Sequence, residues 1–219
     1  MNRITRLAAI TAAALACTAP PAFADDDEYT TESVKPSWTA ASSESCTDPD
    51  VAPLLSSFKD DDLYAPAPGG TFNNGPAGWQ FTGGADVVAG DGALQLFGAD
   101  GGALDLPVGG SATSPTFCVD ERYPHFRFAY ASSSPDNDAD VRVEVIYPGL
   151  ADKNVRKAKD LKAKHGKGWD LTDRIKLEPN HGLKNGGWRL VAVRISVRGG
   201  KPGTSVRVDD VLIDPRARF

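Results

Sequence analysis

Trp188-Arg-Leu-Val-Ala-Val-Arg-Ile-Ser-Val-Arg198 puts Val191, Val193, Ile195 and Val197 on one face, with Leu190 out of phase. Gly199-Gly-Lys-Pro-Gly203 then turns the chain, and Val206-Arg-Val-Asp-Asp-Val-Leu-Ile-Asp214 returns. Apolar residues at every second position over this length mark half-buried strands. Two such strands across a Gly/Pro turn predict an antiparallel pair packed on a core. The class is therefore all-β.

Upstream, short apolar runs are divided by Gly, Pro and Asn: residues 79–81, 86–88, 93–97, 103–106 and 115–119. Two longer runs alternate, one through Phe126, Phe128 and Tyr130, the other through Val141, Val143, Val145 and Tyr147. Even spacing with turn signals predicts an antiparallel sandwich of one domain. Residues 153–167 are ambiguous. Val155, Ala158 and Leu161 recur every three residues, as on a helix, yet the same text reads as a lysine-fringed edge strand.

The first 24 residues read as a removable export signal. Arg3 and Arg6 precede an apolar stretch too short to span a membrane, and Ala22-Phe-Ala24 fits the small-residue cleavage pattern. A lipid anchor at Cys17 is the lesser alternative. No later segment is apolar enough to anchor the chain. Residues 25–45 are acidic and Ser/Thr-rich, and too poor in apolar groups to offset their ordering entropy, so they predict a disordered tether. The folded domain is expected over residues 46–219. In an exported chain Cys46 and Cys118 predict one disulfide.

The net charge of -5 hides an asymmetry. Residues 25–62 carry eleven acids against two lysines, whereas residues 151–201 carry fourteen bases against five acids. Lys157, Lys159, Lys162 and Lys164 sit at the centre of the basic run, which would suit an anionic envelope polymer or act as a solvated edge. It lacks the interleaved aromatics that stack nucleic-acid bases, which argues against nucleic acid. Among aromatics that could face a sugar ring (Tyr64, Tyr123, Tyr147, Trp169 and Trp188), Trp169 lies between Gly168 and Asp170 and is expected to be the most exposed. Trp79 and Trp188 adjoin apolar strands and are expected in the core.

The last strand slips phase, since Val206 and Val208 share one face and Val211 and Ile213 resume one residue late. The slip predicts a bulge at Asp209-Asp210. Such an Asp would either bind a hard cation with nearby carbonyl oxygens or accept hydrogen bonds from backbone N–H groups. Asp136-Asn-Asp-Ala-Asp140 opens like a calcium loop, but Val141 stands where Gly is needed and Tyr147 where Glu is needed, so it reads as an acidic hairpin tip. The three histidines show no metal spacing, and there is no nucleophile elbow. Nothing here marks an enzyme.

An opening Phe, a Gly-rich loop, Gly78-Trp-Gln-Phe-Thr-Gly-Gly84 and the strand Val208–Asp214 resemble the galactose-binding-like jelly-roll modules, over roughly residues 56–215. The chain also resembles small secreted β-sandwich proteins of high-GC Gram-positive bacteria. The resemblance implies a non-catalytic module for glycans or another envelope polymer. It also implies a structural calcium at Asp209 or Asp210, although the early-strand carboxylate partner has no identifiable counterpart here. The competing expectation is a structural or protein-interaction domain with no small ligand, which a flat exposed apolar edge would favour.

Overall fold

The computed structural model describes residues 45–89, 93–94, 96, 101–150, 154–181 and 187–215. The export signal with Cys17 and all of the tether but Ser45 lie outside the described residues.

Thirteen strands follow in order: β1 (Ala65–Pro66), β2 (Gln80–Thr82), β3 (Asp86–Ala89), β4 (Gly102–Pro107), β5 (Ser111–Thr113), β6 (Phe117–Val119), β7 (His125–Ser132), β8 (Ala139–Ile146), β9 (Val155–Ala163), β10 (Asp170–Leu171), β11 (Ile175–Lys176), β12 (Arg189–Gly199) and β13 (Ser205–Asp214). They form two antiparallel sheets. The first runs β10-β7-β13-β4-β3, with β1 also on β13 and β11 also on β7; the second runs β2-β5-β12-β8-β9, with β6 also on β12. The expected β-sandwich is present.

The two strands that revealed the fold are not partners. β12 pairs with β8 on one edge and with β5 and β6 on the other. β13 pairs with β7 on one edge and with β4 and β1 on the other. Each is a central strand, and the Gly/Pro link carries the chain from one sheet to the other. Residues 133–138 likewise cross between β7 and β8, so the acidic loop is an inter-sheet arch and not a hairpin tip. Alternation reports which face is buried, and both strands bury theirs in the same core.

That core interleaves Leu104, Leu106, Phe126, Phe128, Val206 and Val208 of the first sheet with Val141, Val143, Val145, Val191, Val193, Ile195 and Val197 of the second. Residues 155–163 are an edge strand, so the ambiguous segment resolves as β. Its Lys and Arg side chains fringe the open edge, which discourages pairing with another sheet.

Between Asp209 and Leu212 the β13–β7 register shifts by one residue, so the expected bulge is present. It returns Val211 and Ile213 to the core and turns Leu212 to the outer face, where Leu55 and Tyr64 cover it. The N–H of Val211 donates to Gly70 O, and its carbonyl accepts from Ala67 N. A side chain at Gly70 would put Cβ 2.9 Å from Val211 Cβ, so this backbone approach needs glycine. Residues 93 and 94 form a bend and not the expected strand.

The covering segment, residues 52–64, is a strap on the outside of the first sheet. Ala52 and Tyr64 close it with a β-bridge. Arg127 holds it through Asp60 at 2.7 Å, and Arg174 joins Asp62 to buried Asp214. Burial opposes ionisation of Asp60, but the Tyr64 hydroxyl, the Asp62 N–H and Arg127 outweigh it and hold this carboxyl below its usual range. Just upstream, Cys46 is bonded to Cys118 of β6.

Candidate functional site

The phase of each central strand that is not apolar builds the open face of the second sheet. In β12 these positions are Arg194, Ser196 and Arg198; in β8 they are Asp140, Arg142 and Glu144. Register then aligns the side chains across the sheet. Arg194 stands opposite Glu144 and Thr113, and Ser196 opposite Arg142 and Ser111. Gln80 and Thr82 of β2 extend these rows on one side, and Lys157 and Asp160 of β9 on the other. Two polar rungs result, Gln80–Thr113–Arg194–Glu144–Lys157 and Thr82–Ser111–Ser196–Arg142–Asp160. At the usual strand spacing each spans about 19 Å.

Charges and hydroxyls along the rungs hold one another. Arg194 donates through Nε to Glu144 Oε2 at 2.8 Å, and its Nη2 lies 2.8 Å from the same oxygen. Asp160 accepts from Lys157 Nζ at 2.9 Å and Arg142 Nε at 3.0 Å, which holds its carboxyl below the usual range. Lys162 meets Asp140 at 3.1 Å, and the hydroxyls of Thr82 and Ser111 are 2.8 Å apart. Two open grooves cross the face. One of about 420 Å³ lies among Asp140, Arg142, Asp160, Lys162 and Arg198. The other, about 360 Å³, lies among Gly109, Gly110, Ser111, Arg194, Ser196 and Arg198. The arrangement supplies planar and hydroxyl hydrogen-bonding groups in rows. Among the described residues it contains no nucleophile paired with a base.

The sequence-predicted residues are dispersed around this face. Lys157 and Lys162 flank it through their ion pairs. Lys159, beyond a bulge in β9, faces the other way and meets Asp173 at 3.3 Å. Lys164 joins Lys162, Lys167 and Gly168 around a small cavity of about 90 Å³ at the sheet edge. The basic run is therefore not one patch, because strand alternation divides it. Trp169 is partly exposed just before β10, at the edge of the first sheet, and does not line the grooves.

Of the other aromatics, Tyr64, Tyr147 and Trp79 are buried as core. Burial pushes the Tyr147 hydroxyl up to about 12, and that hydroxyl donates to Leu177 O at 2.7 Å. Trp188 is only partly buried. It stacks on Tyr123 with centroids 6.0 Å apart, and the Arg122 guanidinium lies 5.2 Å from its ring centroid. Asp48 and Asp120 hold Arg122 in place.

Asp209 and Asp210 are 2% and 3% exposed. Asp209 Oδ2 accepts from Ala93 N at 2.9 Å and its Oδ1 from Asp210 N at 2.7 Å; Asp210 Oδ2 accepts from Leu94 N at 3.3 Å. Burial, with the charge of Asp210 second, pushes Asp209 up to about 7, and burial pushes Asp210 up to about 6. Calcium takes six to eight oxygen ligands. Here three of the four carboxylate oxygens face N–H donors, and no group of three His, Cys, Asp or Glu forms among the described residues. This donor set does not fit calcium. It fits a clamp on the remote 93–94 bend, a partner that neither local spacing nor periodicity could reveal.

Apart from Lys157, the rung residues escaped the sequence reading. Their signal was present in the polar phase of the same strands whose apolar phase marked the core.

No protein-family model matches the chain, and no curated protein is similar to it in sequence. Some solved structures are similar to it. The xylan-binding domain from Paenibacillus barcinonensis Xyn10C is 13% identical, with a TM-score of 0.48 over 80% of this chain and 99% of that one. The N-terminal cellulose-binding domain from Cellulomonas fimi β-1,4-glucanase C is 18% identical, with a TM-score of 0.44 over 71% and 99%. The K1 cleaved adhesin domain of Lys-gingipain from Porphyromonas gingivalis is 14% identical, with a TM-score of 0.45 over 67% and 96%.

Proposed function

We propose that this protein is an exported, non-catalytic glycan-binding module that lays an extended sugar polymer along the polar face of its second sheet. The observation that carries the reading is the pair of register-aligned rungs crossing β2, β5, β12, β8 and β9. Sugar hydroxyls both donate and accept, and rows of hydroxyl, amide and guanidinium groups on a rigid sheet meet them without first being ordered. The Cys46–Cys118 bond supports export to an oxidising compartment, and the reading includes removal of the signal after Ala24. Of the exposed large apolar residues among those described, Val51 and Phe58 lie beside and on the strap, Val108 lies between β4 and β5, and Val155 begins β9. Trp169 and Lys164 lie outside the face and belong to a weaker, peripheral contact at most.

A glycan array of the mature protein, with and without calcium, tests the reading. Binding to at least one polysaccharide is expected, unchanged by calcium. Ser111→Arg, which fills the face without touching the core, should weaken it at least tenfold. Silence across the array, or full affinity in Ser111→Arg, would move the interaction-domain reading ahead.

A further inference from the structure

We infer, building on the glycan-binding reading, that the polymer bears intermittent uronic acid residues and that Arg198 reads their carboxylates. The open face carries five bases (Arg142, Lys157, Lys162, Arg194 and Arg198) and three acids (Asp140, Glu144 and Asp160). Glu144 is matched by Arg194, Asp140 by Lys162, and Asp160 by Arg142 and Lys157. Arg198 is the base left over. Its side chain is 53% exposed, and its nearest carboxylate oxygen is Glu144 Oε1 at 3.8 Å, on a carboxylate already engaged. Its Nε reaches Ser196 Oγ only at 3.4 Å. It also lines both grooves, so a chain passing from one to the other passes the guanidinium.

An arginine fork matches a carboxylate in two parallel hydrogen bonds and sheds its water more readily than an ammonium does. Around it, Gly109 is exposed and Ser111 partly so, and their polar groups suit uncharged sugar hydroxyls, whereas Gly110 and Ser196 are buried. The density of charge selects among anions. A densely sulfated or phosphorylated polymer would meet the exposed carboxylates of Asp140 and Asp160 as well as Arg198. A polymer with one carboxylate at intervals can set that group on Arg198 and its neutral stretches on the hydroxyl rows.

The test titrates hyaluronan and glucuronoxylan, each against its carboxyl-reduced neutral twin, with polygalacturonate and dextran sulfate as dense anions. The wild type should bind at least one uronate polymer about tenfold or more tighter than the twin, the size of one charge-assisted pair. Arg198→Gln should bring that polymer to its twin's affinity, and Arg198→Lys should recover only part of the preference, because it restores charge without the fork. Equal affinity for polymer and twin would overturn the inference and leave the glycan-binding reading standing. So would a preference that survives Arg198→Gln, or tightest binding to either dense anion. If no polymer or twin binds, and none on a neutral glycan array does, both fail together. Melting curves that superpose for wild type and Arg198→Gln show that the variant is folded.

Discussion

Asp210 has a positive φ of 48°, in the left-handed region that Asn and Gly tolerate best and other side chains avoid. It is also a buried acid with its pKa raised, as is Asp209. Between the ordinary carboxylate range and the raised values, the folded chain holds protons that the unfolded chain has released. Each acid therefore makes stability fall as pH rises from about 4 toward 7. Asp210→Asn keeps the backbone conformation and an oxygen for Leu94 N, and removes one of the two charges. The melting temperature of this variant minus that of the wild type should grow between pH 4 and 7.5, with each kcal/mol worth about 2–4 °C in a domain of this size. A difference that stays flat, or turns negative at pH 7.5, would refute the clamp. Chelator should leave the wild-type curve unmoved; a fall that Asp210→Ala abolishes would install a cation instead. At this scale the bulge was legible, because a phase slip in an alternating strand has few other causes. The clamp was not, because Ala93 and Leu94 lie 116 positions away from the acids they meet.

The strap is the element that most depends on distant partners. Its apolar content is small, Leu55 and Tyr64 against Leu212, and ion pairs and the nearby disulfide complete its attachment. Arg174→Ala would leave Asp214, 1% exposed, without its cation. Removing one partner of a buried pair costs about 3–5 kcal/mol, and the half-exposed arginine places this case at or below the lower figure. Urea denaturation should show it, and loss of less than about 0.5 kcal/mol, the range of an ordinary surface change, would mean that water already screens Asp214. Replacing both Cys46 and Cys118 by Ser opens a loop of sequence separation 72, worth about 4 kcal/mol on the chain-entropy estimate. An unchanged denaturation midpoint would show that strap packing alone closes the loop. Strand positions were mostly legible from period-two alternation. Strand neighbours were not: β12 and β13 bury their faces in the same core from opposite sheets, and the pattern that exposes a face is silent about the edges. β5 was missed because Ser111-Ala-Thr113 carries a single apolar residue between two hydroxyls.

Among the described residues the strap covers part of the first sheet's outer face, while the second sheet's stays open. The strap with its ion pairs and the proposed binding face thus lie on opposite sides of one core. Perturbations so separated should add independently. Arg174→Ala should lower stability and leave affinity for the array-identified glycan within about twofold. Ser111→Arg should do the reverse. A strap variant that loses affinity in proportion to its stability would show that the core transmits between the faces. The polar face was only half legible, since which residues face outward is local information, whereas their alignment into rungs depends on five strands finding their register. The disulfide has a mechanical consequence. A pull arriving along the chain ahead of Cys46 passes straight through the sulfur bridge to Cys118, into β6, and on to β12, which holds Arg194 and Arg198. The strap hangs outside that load path, so a tethered module gripping its ligand would bear tension through a covalent bond and one sheet. The strap and its ion pairs would stay slack until the bridge is reduced, when the same pull would begin by peeling the strap.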